Sequence, residues 1–317
     1  MTDNITISRE EVLSAAERIA GHVLRTPLKE CMISGRKVWL KCESLQTGGA
    51  FKLRGATNRL LQLDERERKM GVVAFSSGNH AQGVAIAAKR LGMRAMIVMP
   101  SDAPALKVEG TRAQGADIIL YDRLTEDRVA IAERLAAETG AIMVPSFDDP
   151  HIVAGQGTAG LEIEQQLGRP PTRIVIPCGG GGLAAGIALA CPASDIIIVE
   201  PDGWDDMGRS LGLGEIVPVA ADAPPTLCDA LQTPRVSPIT FIILADRRAA
   251  ALSVSDEEVR SAIRWAWREH QLIVEPGGSV ALAAALAGKI NLDGEPVLVV
   301  SGGNIDPALH AEILGQA

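Results

Sequence analysis

Between Ile174 and Ser194 the chain runs 21 residues without a charge, and the run is interrupted by Pro177, by four consecutive glycines from Gly179 to Gly182 and by Pro192. A membrane-spanning helix does not carry such breaks, so no span is expected here. The pattern is a buried strand, Ile174 to Ile176, then a glycine turn, then an apolar helix from Gly182 to Ala190. A strand that is apolar on both faces belongs in a parallel sheet covered by helices. The same alternation recurs along the chain. Val72 to Phe75, Ala95 to Met99, Asp117 to Leu120, Ile196 to Val199 and Val297 to Val300 are short apolar runs, and Ala281 to Leu286 is another. Helical spacing fills Lys52 to Leu63, Asn79 to Leu91, Ala105 to Gln114 and Asp256 to Glu269, and Lys37 to Cys42 reads as a strand. Repeated strand–helix alternation predicts an α/β fold with a mostly parallel sheet, or two of them.

Composition narrows the function classes. The 317 residues carry 31 Lys and Arg against 39 Asp and Glu, a net charge of -8, which is the wrong sign for a partner with a phosphate backbone. The five cysteines, Cys31, Cys42, Cys178, Cys191 and Cys228, form no C-x-x-C pair and no zinc spacing, and read as reduced thiols of a cytoplasmic protein. The start, MTDNITISREEV, lacks a basic and apolar leader, so export is not expected; Ser8 with Glu11 is a capping box for a first helix. A seam between structural units is expected in the Pro-, Asp- and Gly-containing segment Pro145 to Gly157, and a second irregular region from Ala220 to Pro238.

In open α/β sheets ligands sit beyond the carboxyl ends of strands. Three such places carry chemistry. Ser76-Ser77-Gly78-Asn79-His80 leads straight into a helix and can hold an anion or simply cap that helix. Gly179 to Gly182 lets backbone N–H groups wrap a phosphate at a helix start. Ser301-Gly302-Gly303-Asn304 puts a hydroxyl at the end of a buried strand, unless it is a plain turn. Gly180-x-Gly182-x-x-x-Gly186, with Glu200 closing the next strand, is compatible with a dinucleotide and an NAD-dependent oxidoreductase. That reading leaves the other segments without a role. Lys52, in Gly48-Gly49-Ala50-Phe51-Lys52-Leu53-Arg54-Gly55-Ala56, lies at a helix mouth among small and apolar neighbours, where an ammonium is desolvated and its pKa falls. Such a lysine can condense with an aldehyde.

Taken in order, AFKLRGA, SSGNHAQGVA, GQGTAGLEI, the tetraglycine, EPGGS and SGGN resemble the threonine/serine dehydratase family of fold type II pyridoxal-phosphate enzymes, which includes serine racemases. The resemblance implies two open, twisted, mostly parallel sheets flanked by helices, as in the tryptophan synthase β-like fold. It implies a smaller substrate-binding domain, residues 71–148, inserted into a larger cofactor-binding domain, residues 1–70 and 149–317, and the short form of the family without a regulatory domain. Residue by residue, it implies that Lys52 holds the aldehyde of pyridoxal 5'-phosphate and takes the substrate α-proton. Gly179, Gly180, Gly181 and Gly182 would take the cofactor phosphate, Asn79 the ring hydroxyl and Ser301 the pyridine nitrogen, with Phe51 and Glu275 completing its contacts. Ser76, Ser77, Asn79 and His80 would bind the substrate carboxylate. Ser77 would face the α-carbon opposite Lys52. Family members commonly carry Thr-Gly-Ser where this chain has Gly48-Gly49-Ala50, which removes two hydroxyls beside the cofactor.

The implied activity is β-elimination of water from a 3-hydroxy amino acid such as L-threonine or L-serine, giving a 2-oxo acid and ammonia. On the same scaffold the alternatives are a 3-hydroxyaspartate dehydratase and a serine racemase; outside it stand the oxidoreductase and a non-catalytic amino-acid-binding protein. Arg128 matches the position of a carboxylate-reaching arginine in racemase-like members, or is an exposed helix-face arginine. Glu200, the carbonyl of Trp204 and Asp206 match a loop that holds Mg²⁺ or Ca²⁺, hard cations suited to oxygen ligands, or Glu200 merely ends a strand and Asp205 or Asp206 caps the next helix. A homodimer is a further implication of the resemblance.

Overall fold

The computed structural model describes residues 7–76, 78–103 and 105–315. Helix α1 (Arg9–Ile19) opens on the expected capping box: the Ser8 hydroxyl accepts from the Glu10 N–H, and Glu11 reaches back to the Ser8 N–H. An antiparallel hairpin, β1 (Leu28–Ile33) and β2 (Arg36–Cys42), is followed by α2 (Lys52–Leu61) and α3 (Glu65–Met70). Next come β3 (Val72–Phe75), α4 (Asn79–Arg90), β4 (Ala95–Pro100), α5 (Ala105–Ala113), β5 (Asp117–Tyr121), α6 (Arg128–Thr139) and β6 (Ile142–Met143). The chain continues through α7 (Pro150–Leu167), β7 (Arg173–Pro177), α8 (Gly182–Ala190), β8 (Asp195–Pro201), α9 (Asp206–Leu213) and α10 (Pro238–Asp246). It ends with β9 (Ala250–Val254), α11 (Asp256–His270), α12 (Pro276–Leu286), β10 (Val297–Val300) and α13 (Pro307–Leu314).

These strands form two sheets. One has four parallel strands in the order β5-β4-β3-β6; the other has six in the order β1-β2-β10-β7-β8-β9, parallel except for the β1–β2 pair. Strands β7 and β10 are buried at almost every position, as their unbroken Ile and Val content requires in a sheet covered on both faces. Each sheet has one point where the winding reverses. In the four-stranded sheet the chain steps outward from β3 to β5 and then returns to β6 beside β3; in the six-stranded sheet it steps from β7 to β9 and returns to β10 beside β7. Such switch points open a crevice at the carboxyl ends of the strands. Here they coincide with the Ser76 loop after β3, the tetraglycine after β7 and Ser301 after β10.

Two expectations need correction. The segment Pro145 to Gly157 is not irregular throughout: only its first residues are, and from Pro150 it is the 18-residue helix α7. Asp149 caps that helix, accepting from the N–H groups of His151 and Ile152 at 2.8 and 2.9 Å, and Pro150 occupies the first turn, where a missing N–H costs nothing. The glycines of α7 allow close packing. A Cβ on Gly155 would lie 2.7 Å from the Cα of Gly55 on α2, and one on Gly157 would lie 2.6 Å from the Gly186 carbonyl on α8. Secondly, the apolar run Ala281 to Leu286 is the end of helix α12.

Candidate active site

A cavity of about 660 Å³ lies where the carboxyl ends of the two sheets meet. Lys52, Asn79, the tetraglycine, Glu275 and Ser301 all line it, as do Phe51, Ser76 and His80. Ser77 lies outside the described residues.

Lys52 is the first residue of α2, and its Nζ donates to the Ser146 carbonyl at 3.1 Å and sits 5.1 Å from the centre of the Phe51 ring. Removal from water pushes its pKa down to about 8, with the Glu275 carboxylate opposing the shift. Glu275 precedes Pro276 at the start of α12 and is itself buried; burial pushes its pKa up to about 7 against the Asn79 hydrogen bond. Asn79 is held from both sides. Its Nδ2 donates to Glu275 at 2.5 Å, and its Oδ1 accepts from Asn304 Nδ2 at 2.8 Å, while Asn304 also donates to the Gly48 carbonyl. Asn304 belongs to SGGN, a motif whose terminal residue had no assigned role at the level of sequence. Gly48 and Gly49 have φ of +81° and +74°, and a Cβ on Gly49, the glycine shared with Thr-Gly-Ser, would fall on the Asn304 amide, while one on Gly48 would come 2.7 Å from Ile86.

The tetraglycine wraps around Phe147, another residue that sequence reasoning missed. Gly181 has φ +85°, and a Cβ on Gly180 would come 2.4 Å from the Phe147 ring. The Thr240 hydroxyl donates to the Gly180 carbonyl at 2.9 Å, tying the turn to α10, and all four glycines line the cavity at the start of α8. Ser301 is tied to α2, because its carbonyl accepts from the Phe51 N–H at 3.1 Å. The Ser76 hydroxyl accepts from the Gly78 N–H at 3.2 Å.

The remaining expected residues fall less uniformly. His80 is buried, its Nε2 lies 2.8 Å from the Val144 carbonyl, and desolvation pushes its pKa down to about 3. A neutral imidazole so engaged offers no cation to a carboxylate, leaving only its backbone N–H for that purpose. Arg128 begins α6 with its Cζ 5.5 Å from the Phe75 ring centre, and it lines the cavity together with Arg235. Lys107 of α5 forms an ion pair with Asp229 at the same cavity wall.

Glu200, Trp204 and Asp206 cluster elsewhere, at the far end of β8. The Glu200 carboxylate accepts from the N–H groups of Met207 and Gly208 at 3.0 and 2.8 Å, so it, and not Asp205, caps the start of α9. Both of its oxygens are thus engaged by the start of α9. Burial pushes Glu200 up to about 8 and Asp206 up to about 6. Asp206 Oδ2 is buried without a hydrogen-bond partner among the described residues. No group of three or more His, Cys, Asp and Glu side chains gathers around a common point among the described residues.

A desolvated lysine facing a glycine nest, at the joined switch points of two parallel sheets, defines an α/β enzyme that keeps a phosphorylated carbonyl cofactor against an amine. The chain belongs to the pyridoxal-phosphate dependent enzyme family, which matches residues 19–303. It is 43% identical to an L-threo-3-hydroxyaspartate ammonia-lyase of a Pseudomonas species, over 97% of this chain and 98% of that one. Maize serine racemase superposes with a TM-score of 0.91 at 34% identity, covering 98% of this chain and 97% of the other. A threonine deaminase from T.th. superposes at 0.87 with 40% identity, covering 94% and 99%. The fold is the two-sheet fold type II arrangement that the motifs implied. Among the described residues no helix is long and apolar enough to cross a membrane.

Proposed function

We propose that the chain is a pyridoxal-phosphate-dependent ammonia-lyase that converts a 3-hydroxy amino acid such as L-threonine or L-serine to a 2-oxo acid and ammonia. The observation that carries this reading is Lys52, desolvated to a pKa of about 8 in the same cavity as Gly179 to Gly182. When bound, pyridoxal phosphate supplies an electron sink for a carbanion at the substrate α-carbon. The chain's residues do the rest. N–H groups of Gly179 to Gly182 and the amino end of α8 take the phosphate, the Ser301 hydroxyl the pyridine nitrogen, and Asn79, oriented by Asn304 and Glu275, the ring hydroxyl. Phe51 lies against the same space. Ser76, Ser77 and the N–H groups that open α4 at Asn79 and His80 hold the substrate carboxylate. Lys52 Nζ removes the α-proton, the β-hydroxyl leaves as water, and hydrolysis of the resulting enamine in solvent releases ammonia. The neutral Ser301 hydroxyl would meet the ring nitrogen where a carboxylate would keep it protonated, a pairing that would favour loss of a β-substituent over transamination.

A second reading, a 3-hydroxyaspartate dehydratase, is favoured by Arg128 and Arg235. Neither has a carboxylate within ion-pair distance among the described residues, and both line the cavity. Guanidinium groups so placed suit a second substrate carboxylate. A serine racemase activity would need Ser77 as an acid or base on the face opposite Lys52. Glu200, the Trp204 carbonyl and Asp206 fit a Mg²⁺ or Ca²⁺ ion: two buried carboxyls with raised pKa, one carrying an unpartnered oxygen, are what a hard cation relieves. The proposal extends to a smaller unit of residues 71–148 within a larger one of residues 1–70 and 149–317, in a cytoplasmic homodimer.

The test is an ammonia-release screen across the stereoisomers of threonine, serine, 3-hydroxyaspartate and phenylserine, with the 2-oxo acid identified. Release from a 3-hydroxy monocarboxylate supports the main reading, and release confined to 3-hydroxyaspartate selects the second. Racemisation without ammonia, or no reaction in cofactor-loaded protein, overturns both.

A further inference from the structure

Lys52 and Arg54 leave the first turn of α2 in nearly opposite directions, because two residues of an α-helix rotate the chain by about 200°. Lys52 lines the cavity, whereas Arg54 runs into the framework and is fully buried. Its guanidinium holds two carboxylates at once. Nε and Nη2 donate to Glu43 at 2.8 Å each, and Nη1 and Nη2 donate to Glu162 of α7 at 2.7 and 2.9 Å. The Thr158 hydroxyl, also on α7, accepts at 3.2 Å. Lys41 of β2 completes a set of two cations and two carboxylates, donating to Glu162 at 2.6 Å and to the Thr26 carbonyl at 2.9 Å.

A buried ionic cluster is weak support for stability, since well-packed apolar residues often do as well; what it supplies is a fixed geometry. The other hydrogen bonds of α2 to its neighbours lie farther along the helix from Lys52. Towards α7 the Gly55 N–H donates to Gln156, and more than a turn beyond Lys52 the Asn58 Nδ2 donates to the His151 carbonyl at 2.6 Å and the Arg59 Nε to Asp149 at 3.0 Å; towards α4 a Cβ on Gly83 would come 3.1 Å from the Lys52 carbonyl carbon. Glycine surfaces allow close approach but do little to resist rotation of a helix about its own axis. In the first turn, beside Lys52, the Arg54 fork resists it by binding Glu43 and Glu162 together.

We propose that Arg54 is a positioning residue: gripped by Glu43 and Glu162, it sets the rotation of α2 and thereby the place of the Lys52 amine in the cavity. The inference rests on the role given to Lys52 above. The substitution Arg54→Lys keeps the charge but cannot fork to two carboxylates. Glu162→Gln keeps the side-chain shape, removes one charge from the cluster and serves if Arg54→Lys does not fold. Both are studied as cofactor-loaded protein. The readouts are cofactor absorbance, visible circular dichroism per bound cofactor, Tm, and kcat and KM on the best substrate of the wild type. A displaced Lys52 is expected to lower kcat by roughly 10²-fold in Arg54→Lys. Smaller loss is expected in Glu162→Gln, with KM near wild type, unchanged occupancy and a visibly altered dichroism in both. Wild-type dichroism and kcat in a variant whose Tm has fallen would show that Arg54 serves stability alone, and so would a kcat loss that tracks cofactor occupancy. Absence of turnover in the wild type would defeat the proposed activity and leave the dichroism comparison standing.

Discussion

Desolvation moves Lys52 and Glu275 towards each other on the pH scale, one down to about 8 and the other up to about 7. The amine therefore needs little driving force to exchange a proton near neutrality, which is where a general base works best. Lys52→Ala is expected to lower turnover by about 10³-fold or more and to prevent borohydride from fixing the cofactor to the chain; label found instead on Lys41, Lys89 or Lys107 would contradict it. The carboxyls give a pH dependence of stability whose sign follows from the protons they hold. Folded Glu200 titrates at about 8, Asp206 at about 6 and Glu275 at about 7, whereas ordinary values are 4.5, 3.8 and 4.5. From about pH 5 to 8 the folded chain thus holds protons that the unfolded chain has released, so stability falls as pH rises. His80, at about 3 against an ordinary 6.5, acts in the other direction up to about pH 6.5 but is one group against three, and Lys52 does so only above about pH 8, where the folded amine is already neutral. In chelator the urea midpoint should be lower at pH 7.5 than at pH 5.5, by the equivalent of about 1 kcal/mol or more. Adding Mg²⁺ should reduce the difference, because a cation favours ionised Glu200 and Asp206. A flat or rising midpoint in chelator would show that these carboxyls ionise normally.

Among the elements, α7 and α4 both pack closely against α2. Gly155→Ala puts a methyl group where the Gly55 Cα already stands 2.7 Å away, and should destabilise the fold by ~1–3 kcal/mol in urea titration. A neutral outcome would mean that the two helices can part without loss. This crossing also shows where sequence reasoning stops. Strands β3, β4, β7, β8 and β10 are legible because unbroken Val and Ile runs have one use in a buried parallel sheet. Strands β1 and β9 are not, since each lies at a sheet edge with several exposed residues that dilute the pattern. The glycines of α7 read as breakers because close helix–helix approach leaves no periodic mark. In the site, motif residues at strand ends are legible. Phe147, the Ser146 carbonyl and Asn304 gain their importance only from contacts made far along the chain, those of Ser146 and Asn304 across 94 to 256 residues.

For the molecule as a whole, the two sheets contribute different walls to one cavity. Lys52, Gly179 to Gly182, Glu275 and Ser301 adjoin the six-stranded sheet; Ser76, Asn79 and Arg128 adjoin the four-stranded one. Substrate preference should therefore respond to Arg128→Ala without loss of cofactor. If a second carboxylate is bound there, kcat/KM for 3-hydroxyaspartate falls by about 10-fold or more, about the strength of one charge-assisted hydrogen bond, while that for threonine is spared. Equal losses on both would remove Arg128 from specificity. The facing switch points have a longer consequence. Because the cofactor's proposed contacts come mostly from one body of the chain and the substrate's mostly from the other, lineages can alter what is consumed by drifting in the 72–143 stretch alone, with the inherited chemistry kept intact.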